Sequence, residues 1–285
     1  MANMANSKVC VVTGVTSGIG KGAAIGLARQ GCHVLMVSRT QERGQLALDE
    51  IKSLVPGAQL ELLCADLASQ RAIAQLAESL KANHSRIDAV VNCAGTFSYA
   101  RTETIDGIET NFAVNYLSAF LLTRELRPLL EQSDDGRVVT VSGEFHRRVR
   151  LDFADLQCKN AYSGMRAAAR GTLAKAVFTF ELARRLKAEG SKVTANCFHP
   201  GAVRSELTRD LPWYLRAVAN MAIPFMRGIE KGAATGVFLA TSPSVRGISG
   251  EYFIDEKIVT PSQYSRDPAV GERLWKLTEA LISFG

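Results

Sequence analysis

A chain of 285 residues, 47% hydrophobic and 22% charged, is long enough for one ordinary globular core and too apolar to be a disordered tail. Its six cysteines show no Cys-x-x-Cys spacing and no nearby His cluster, which argues against a disulfide framework or a metal site. The net charge of +6 is scattered over Arg124, Arg127, Arg147, Arg148, Arg184, Arg185 and Lys187, a solvated basic surface rather than a nucleic-acid stripe. Met1–Ser7 lacks the basic start and apolar run of a leader, and no later stretch is long enough to span a bilayer. The sequence therefore predicts a cytoplasmic protein with no integral membrane segment.

Val9 to Thr13 is a short apolar run of the buried-strand type, and Lys21 to Gln30 has helical periodicity. Between them, Gly14, Gly18 and Gly20 permit a tight bend and a close backbone approach. A pyrophosphate could then rest on the helix N-terminus, where unpaired N–H groups and the dipole favour an anion. Gly14, Thr16, Ser17, Gly18, Ile19 and Gly20 are the predicted cofactor-binding turn. The next strand, Cys32 to Val37, ends in Ser38-Arg39. A carboxylate there would accept from an adenosine ribose and repel a 2′-phosphate, whereas a hydroxyl and a guanidinium favour that phosphate, so the expected cofactor is NADP(H). The bland alternative is an arginine in an exposed basic loop.

Further along, Leu60 to Cys64, Ile87 to Asn92, Val138 to Ser142, Val193 to Phe198 and Glu251 to Ile254 read as strands. Helical stretches such as Ser69 to Ala82 and Asn111 to Leu130 separate them. Cys10, Cys64, Cys93 and Cys197 fall on these apolar runs and read as small core residues. No linker or internal repeat interrupts the pattern. The expected fold is α/β, a Rossmann-type doubly wound parallel sheet with helices on both faces, forming a single domain over 1–285.

The residues resemble the classical short-chain dehydrogenase/reductase family, in particular its retinol-dehydrogenase-like branch. The resemblance rests on Thr13 to Gly20, Ala65-Asp66-Leu67, Asn92-Cys-Ala-Gly95, Asn111 to Leu117, Gly136 to Ser142, Leu173 to Leu186 and His199-Pro-Gly201, and so runs through nearly the whole chain. It implies that Asp66 and Leu67 lie beside adenine, that Asn92, Ala94 and Gly95 support the sheet and cofactor, and that Pro200, Gly201 and Val203 flank nicotinamide.

The same resemblance exposes departures. The position at which relatives carry a substrate-holding serine reads Gly143. The ungapped register from Leu151 to Leu156 puts Ala168 and Thr172 where the family's Tyr-x-x-x-Lys should stand. A rival register uses Tyr162 with Arg166. If the helix already included Tyr162, about 9 Å of rise and about 240° of rotation would separate it from Ala168, so the two side chains would face different ways. The rival also needs compensating gaps on both sides, whereas the first register needs none.

Loss of a positioned acid removes typically 10²–10⁴-fold of rate but leaves proximity and orientation in force. Three substitutes are candidates. Asn115 could hold a water, as the resemblance implies; Lys175, seven residues beyond Ala168, shares a helical face with it; and His146 follows Gly143 closely, as does Glu144. Tyr116 adjoins Asn115. Each has an ordinary surface or packing explanation as well. A further source of the proton is an acidic group on the substrate itself.

The segment at about 204–228 combines Trp213, Tyr214, methionines and prolines where the family places a substrate lid. It points to an apolar or aromatic ketone or aldehyde, with peripheral membrane contact and a homodimer interface as alternatives. Three functions fit these features: an atypical NADPH-dependent carbonyl reductase, a repurposed non-redox cyclase or isomerase, and a catalytically silent NADP-binding regulator.

Overall fold

Strand residues alternate between two helical layers because successive side chains leave opposite faces of a pleated strand. In β1 (Val9–Thr13) Val11 enters one core while Cys10 and Val12 enter the other. In β2 (His33–Ser38) Leu35 and Val37 join the first, and Val34 and Met36 the second. This is the pattern of strands buried on both faces, which a parallel sheet requires.

The computed structural model describes residues 7–203 and 226–282. The sheet continues with β3 (Leu60–Cys64), β4 (Ala89–Asn92), β5 (Arg137–Val141), β6 (Thr194–His199), β7 (Tyr252–Ile254) and β8 (Lys257–Ile258), in the order β3-β2-β1-β4-β5-β6-β7-β8. All neighbouring pairs run parallel except β7 and β8. The order reverses between β1 and β4, the topological switch point where such sheets bind ligands beyond the strands' carboxyl ends.

One face is covered by α1 (Gly18–Arg29), α2 (Gln41–Leu54) and, late in the chain, the helix Ile229–Thr241. The other carries α3 (Gln70–Asn83), α4 (Thr110–Phe112), α5 (Ser118–Glu131), α6 (Gly164–Ala188) and the helix Pro268–Ala280. The helix expected over Asn111 to Leu130 contains a π-turn at Ala113–Leu117 joining α4 to α5. Such bulges concentrate at functional sites, and this one contains Asn115. Among the described residues no helix is long and apolar enough to cross a membrane, and no cluster could hold a metal. Cys10 and Cys197 are core residues as expected. Cys64 is not: it is exposed, and its thiol donates to Gln41 Oε1 at 3.0 Å, because the edge strand β3 has no neighbour on its outer side.

Candidate active site

The turn between β1 and α1 is built by atoms that would collide with any added side chain. Gly14 has φ +74°, and a Cβ there would stand 2.9 Å from Ala94 Cα; one at Gly20 would stand 2.3 Å from the Gly14 carbonyl oxygen. Thr13 Oγ1 accepts from the backbone N–H groups of Cys93 and Ala94, both at 3.0 Å, and so clamps the end of β1 to the loop after β4. Ser17 sits at the helix cap with extended backbone, but its hydroxyl makes no capping bond, and no acidic residue occupies the first turn. Among the described residues the first-turn N–H groups of α1 therefore lack a side-chain partner, which fits a bound pyrophosphate. Thr16, Ser17, Gly18 and Ile19 line this turn. Ile19 meets Val203 across Gly232, where a Cβ would come within 2.4 Å of Val203 Cγ2 and 2.9 Å of Ile19 Cδ1.

At the end of β2, Ser38 is buried and donates to the Thr40 carbonyl oxygen at 3.0 Å, so its hydroxyl is committed locally. Arg39 is exposed and forms no hydrogen bond or ion pair with the described residues. Its guanidinium is free to take a phosphate. Asp66 caps its own turn, accepting from Ala68 N at 3.0 Å, and Leu67 lies against the core. Asn92 is buried and donates to Thr123 Oγ1 at 3.0 Å, bracing the sheet on α5 rather than facing a ligand. Asn115 ties the loop after β4 to the π-turn through Thr96: its Oδ1 accepts from Thr96 N at 2.6 Å and its Nδ2 donates to Thr96 O at 3.0 Å. A Cβ on Gly95 would stand 3.4 Å from that Oδ1, and Gly201 takes φ +80° against Arg227 just after Pro200.

The vacated positions converge. A Cβ at Gly143 would stand 3.4 Å from Thr172 Cγ2 and 3.9 Å from His199 Nδ1. Thr172 turns its hydroxyl back to the Ala168 carbonyl oxygen at 3.0 Å, which leaves its methyl toward Gly143. The space beside Gly143 is thus bounded by a methyl and an imidazole. Helix α6 begins at Gly164, with Ser163 at its cap, so Tyr162 precedes the helix that carries Ala168 and Thr172. Its hydroxyl donates to Ser98 O at 2.9 Å and accepts from Asn111 Nδ2 at 2.7 Å. Burial and then the Glu109 carboxylate push its ionisation far up. Tyr162→Phe should lower stability by about 1–3 kcal/mol through the groups it leaves unpaired, measured by urea denaturation. NADPH affinity should stay within a few-fold of wild type.

His146 and Lys175 do not reach the vacancy as free groups. His146 Nδ1 donates to Gly143 O at 2.7 Å and Nε2 accepts from Ser262 N at 3.2 Å, while the ring lies 4.8 Å from that of Tyr252. With both nitrogens engaged and the residue 1% exposed, His146 braces the loop and has no proton site to offer. Lys175 is buried and donates to Ala94 O at 3.2 Å, on the cofactor loop rather than beside Gly143, and burial lowers its pKa to about 8. Sequence reasoning included His199 only within His199-Pro-Gly201 and gave it no role; in the structure it ends β6 beside Gly143. Of the lid expected at about 204–228, residues 204–225 lie outside the described residues.

Fold and turn together define a dinucleotide-binding enzyme of the doubly wound class. Residues 8–213 match the family described as short chain dehydrogenase. Retinol dehydrogenase 14 of Mus musculus is 35% identical over 290 residues, covering 97% of this chain and 86% of the relative; polyprenol dehydrogenase of Mus musculus is 37% identical over 273 residues, covering 94% and 82%. A solved structure from Beutenbergia cavernae with bound NADP is 28% identical with a TM-score of 0.69, covering 87% of this chain and 94% of that one. The chain belongs to the short-chain dehydrogenase family, in its retinol-dehydrogenase-like branch, and is an NAD(P)-dependent oxidoreductase that binds NADP(H).

Proposed function

We propose that the chain is an NADPH-dependent reductase of apolar or aromatic ketones and aldehydes that works without a tyrosine acid. The observation that carries this reading is the pairing of a closed, glycine-lined dinucleotide turn with a slot at Gly143, Ala168 and Thr172 that offers neither phenol nor ammonium. Bound NADPH supplies the hydride. The residues of the chain hold and orient: the α1 N-terminus takes the pyrophosphate, Arg39 the 2′-phosphate, and Asn115 with Thr13 fixes the loop that carries Ala94 and Gly95. The proton comes from water or from an acidic group on the substrate. The names of the retinol and polyprenol dehydrogenases support an apolar carbonyl or alcohol. The reading includes a cytoplasmic location and allows a homodimer.

Oxidation of NADPH followed at 340 nm with a panel of aromatic ketones and aldehydes tests it. Turnover supports the reading; silence across the panel overturns it, and conversion without net consumption of NADPH would mark a repurposed isomerase or cyclase instead. Separately, Arg39→Ala should weaken NADPH by roughly 1.5–3 kcal/mol, the worth of a hydrogen bond to a charged group, with NADH unaffected. Calorimetric titration of both cofactors reads this, and equal wild-type affinity for the two rules out the assignment of Arg39.

A further inference from the structure

We propose that the His199 imidazole is the group that passes the water-borne proton to the reacting oxygen, taking the part of the absent tyrosine. The inference rests on the reductase reading and names the side chain through which its proton travels.

His199 ends β6, at the carboxyl edge of the sheet where an α/β fold binds its ligands. Its Nδ1 is buried and has no hydrogen-bond partner among the described residues. A buried ring nitrogen without a partner is the exception in folded proteins and calls for a ligand or a catalytic explanation. The nitrogen lies beside Gly143, 3.9 Å from where a side chain there would begin. The neighbouring polar groups are already committed. Ser142 Oγ donates to Thr172 O at 3.2 Å, Thr172 Oγ1 donates to Ala168 O, His146 uses both ring nitrogens, and Lys175 Nζ is held by Ala94 O. A substrate oxygen entering this slot meets Nδ1.

In reduction the carbonyl carbon takes the hydride that NADPH supplies, and the π pair of C=O moves onto oxygen. That oxygen takes the Nδ1 proton of the imidazolium, the N–H electrons remain on the ring, and water reprotonates it; the products are the alcohol and NADP⁺. In the reverse direction neutral Nδ1 accepts the hydroxyl proton as hydride leaves the carbinol carbon. Among the described residues the charged groups around His199 are Glu144 and His146 from the turn after β5, Arg227 ahead of the helix Ile229–Thr241, and Asp255 between β7 and β8. Burial outweighs the carboxylates and lowers the imidazole pKa. Reduction should accordingly slow as pH rises through the His199 midpoint, and alcohol oxidation should quicken over the same interval.

The test pairs kinetics with a reading that needs no turnover. With 4-nitrobenzaldehyde and NADPH, His199→Gln should lower kcat by about 10²–10⁴-fold while NADPH affinity, by calorimetry, stays within a few-fold. The pH-dependent limb of kcat/KM should vanish with it, and in wild type that limb should coincide with the His199 midpoint measured by ¹⁵N NMR. In cofactor-free protein, Gly143→Ser brings a hydroxyl within reach of Nδ1 and should move the His199 ¹⁵Nδ1 resonance. An unmoved resonance, or a His199→Gln variant that keeps wild-type kcat and pH profile, overturns the inference alone. If wild type reduces no member of the carbonyl panel, the reductase reading falls and takes this inference with it.

Discussion

Glu109→Ala should destabilise the protein by at least about 3 kcal/mol, because one buried carboxylate satisfies several donors at once. Glu109 is 1% exposed. Its Oε1 accepts from Asn111 N at 2.9 Å and Asn111 Nδ2 at 2.8 Å, its Oε2 from Phe112 N at 2.7 Å, and Tyr162 OH lies 3.2 Å from Oε1. Two of these bonds cap the first turn of α4. Loss of an N-cap costs about 0.5–2 kcal/mol, and each buried donor left unpaired costs about 1–3 kcal/mol. The damage should spread to the cofactor loop, since Asn111 Oδ1 holds Ser98 N at 2.9 Å. Urea denaturation of Glu109→Ala and Glu109→Gln checks the account. The amide keeps two acceptor lone pairs on one oxygen, so Glu109→Gln should lose less than Glu109→Ala. Equal losses would mean that volume, not hydrogen bonding, decides the effect.

Lys175→Met should stabilise the protein at pH 7 by roughly 2 kcal/mol. The Lys175 ammonium is buried against Ala94 O and Cys93 with no carboxylate partner among the described residues, and burial lowers its pKa from 10.5 to about 8. That difference corresponds to about 3 kcal/mol by which the fold disfavours the charged form. Losing the bond to Ala94 O offsets about 1 kcal/mol of the gain. Because the folded pKa lies below the unfolded one, the unfolded chain binds more protons between pH 8 and 10.5. The penalty is therefore complete below about pH 8 and relieved as pH rises from there to 10.5. Stability of wild type relative to Lys175→Met should climb across that window and stay flat beneath it. A variant less stable than wild type at pH 7 would show that Lys175 contributes more through its contacts than burial of its charge removes.

Both effects depend on long-range placement, and there the sequence was least informative. Lys175 was legible as a helical residue on the face of Ala168 and Thr172, but its reach to Ala94, 81 positions away in the chain, depends on how α6 lies against the loop after β4. His146 looked available because it follows Gly143 closely. Its engagement by Ser262 comes from a segment 116 residues later, which no local pattern announces. Tyr162 was ambiguous for the same reason: only the cap at Ser163 and the bonds to Ser98 and Asn111 place it ahead of α6.

The sequence by itself determined what short-range sterics and periodicity control. Gly14, Gly18 and Gly20 between an apolar run and a helical stretch specify the dinucleotide turn, because a Cβ at Gly14 or Gly20 would collide with backbone. Alternation along β1 and β2 specifies strands buried on both faces. The tertiary structure alone decided the π-turn at Ala113–Leu117, the antiparallel strand Lys257–Ile258, and the meeting of Gly143, Thr172 and His199 from β5, α6 and β6. These features depend on contacts between elements distant in the chain, whose geometry is set by packing after the strands have paired. An orphaned nitrogen at His199 has no signature in composition or spacing, since it is defined by what surrounding chain segments leave unfilled.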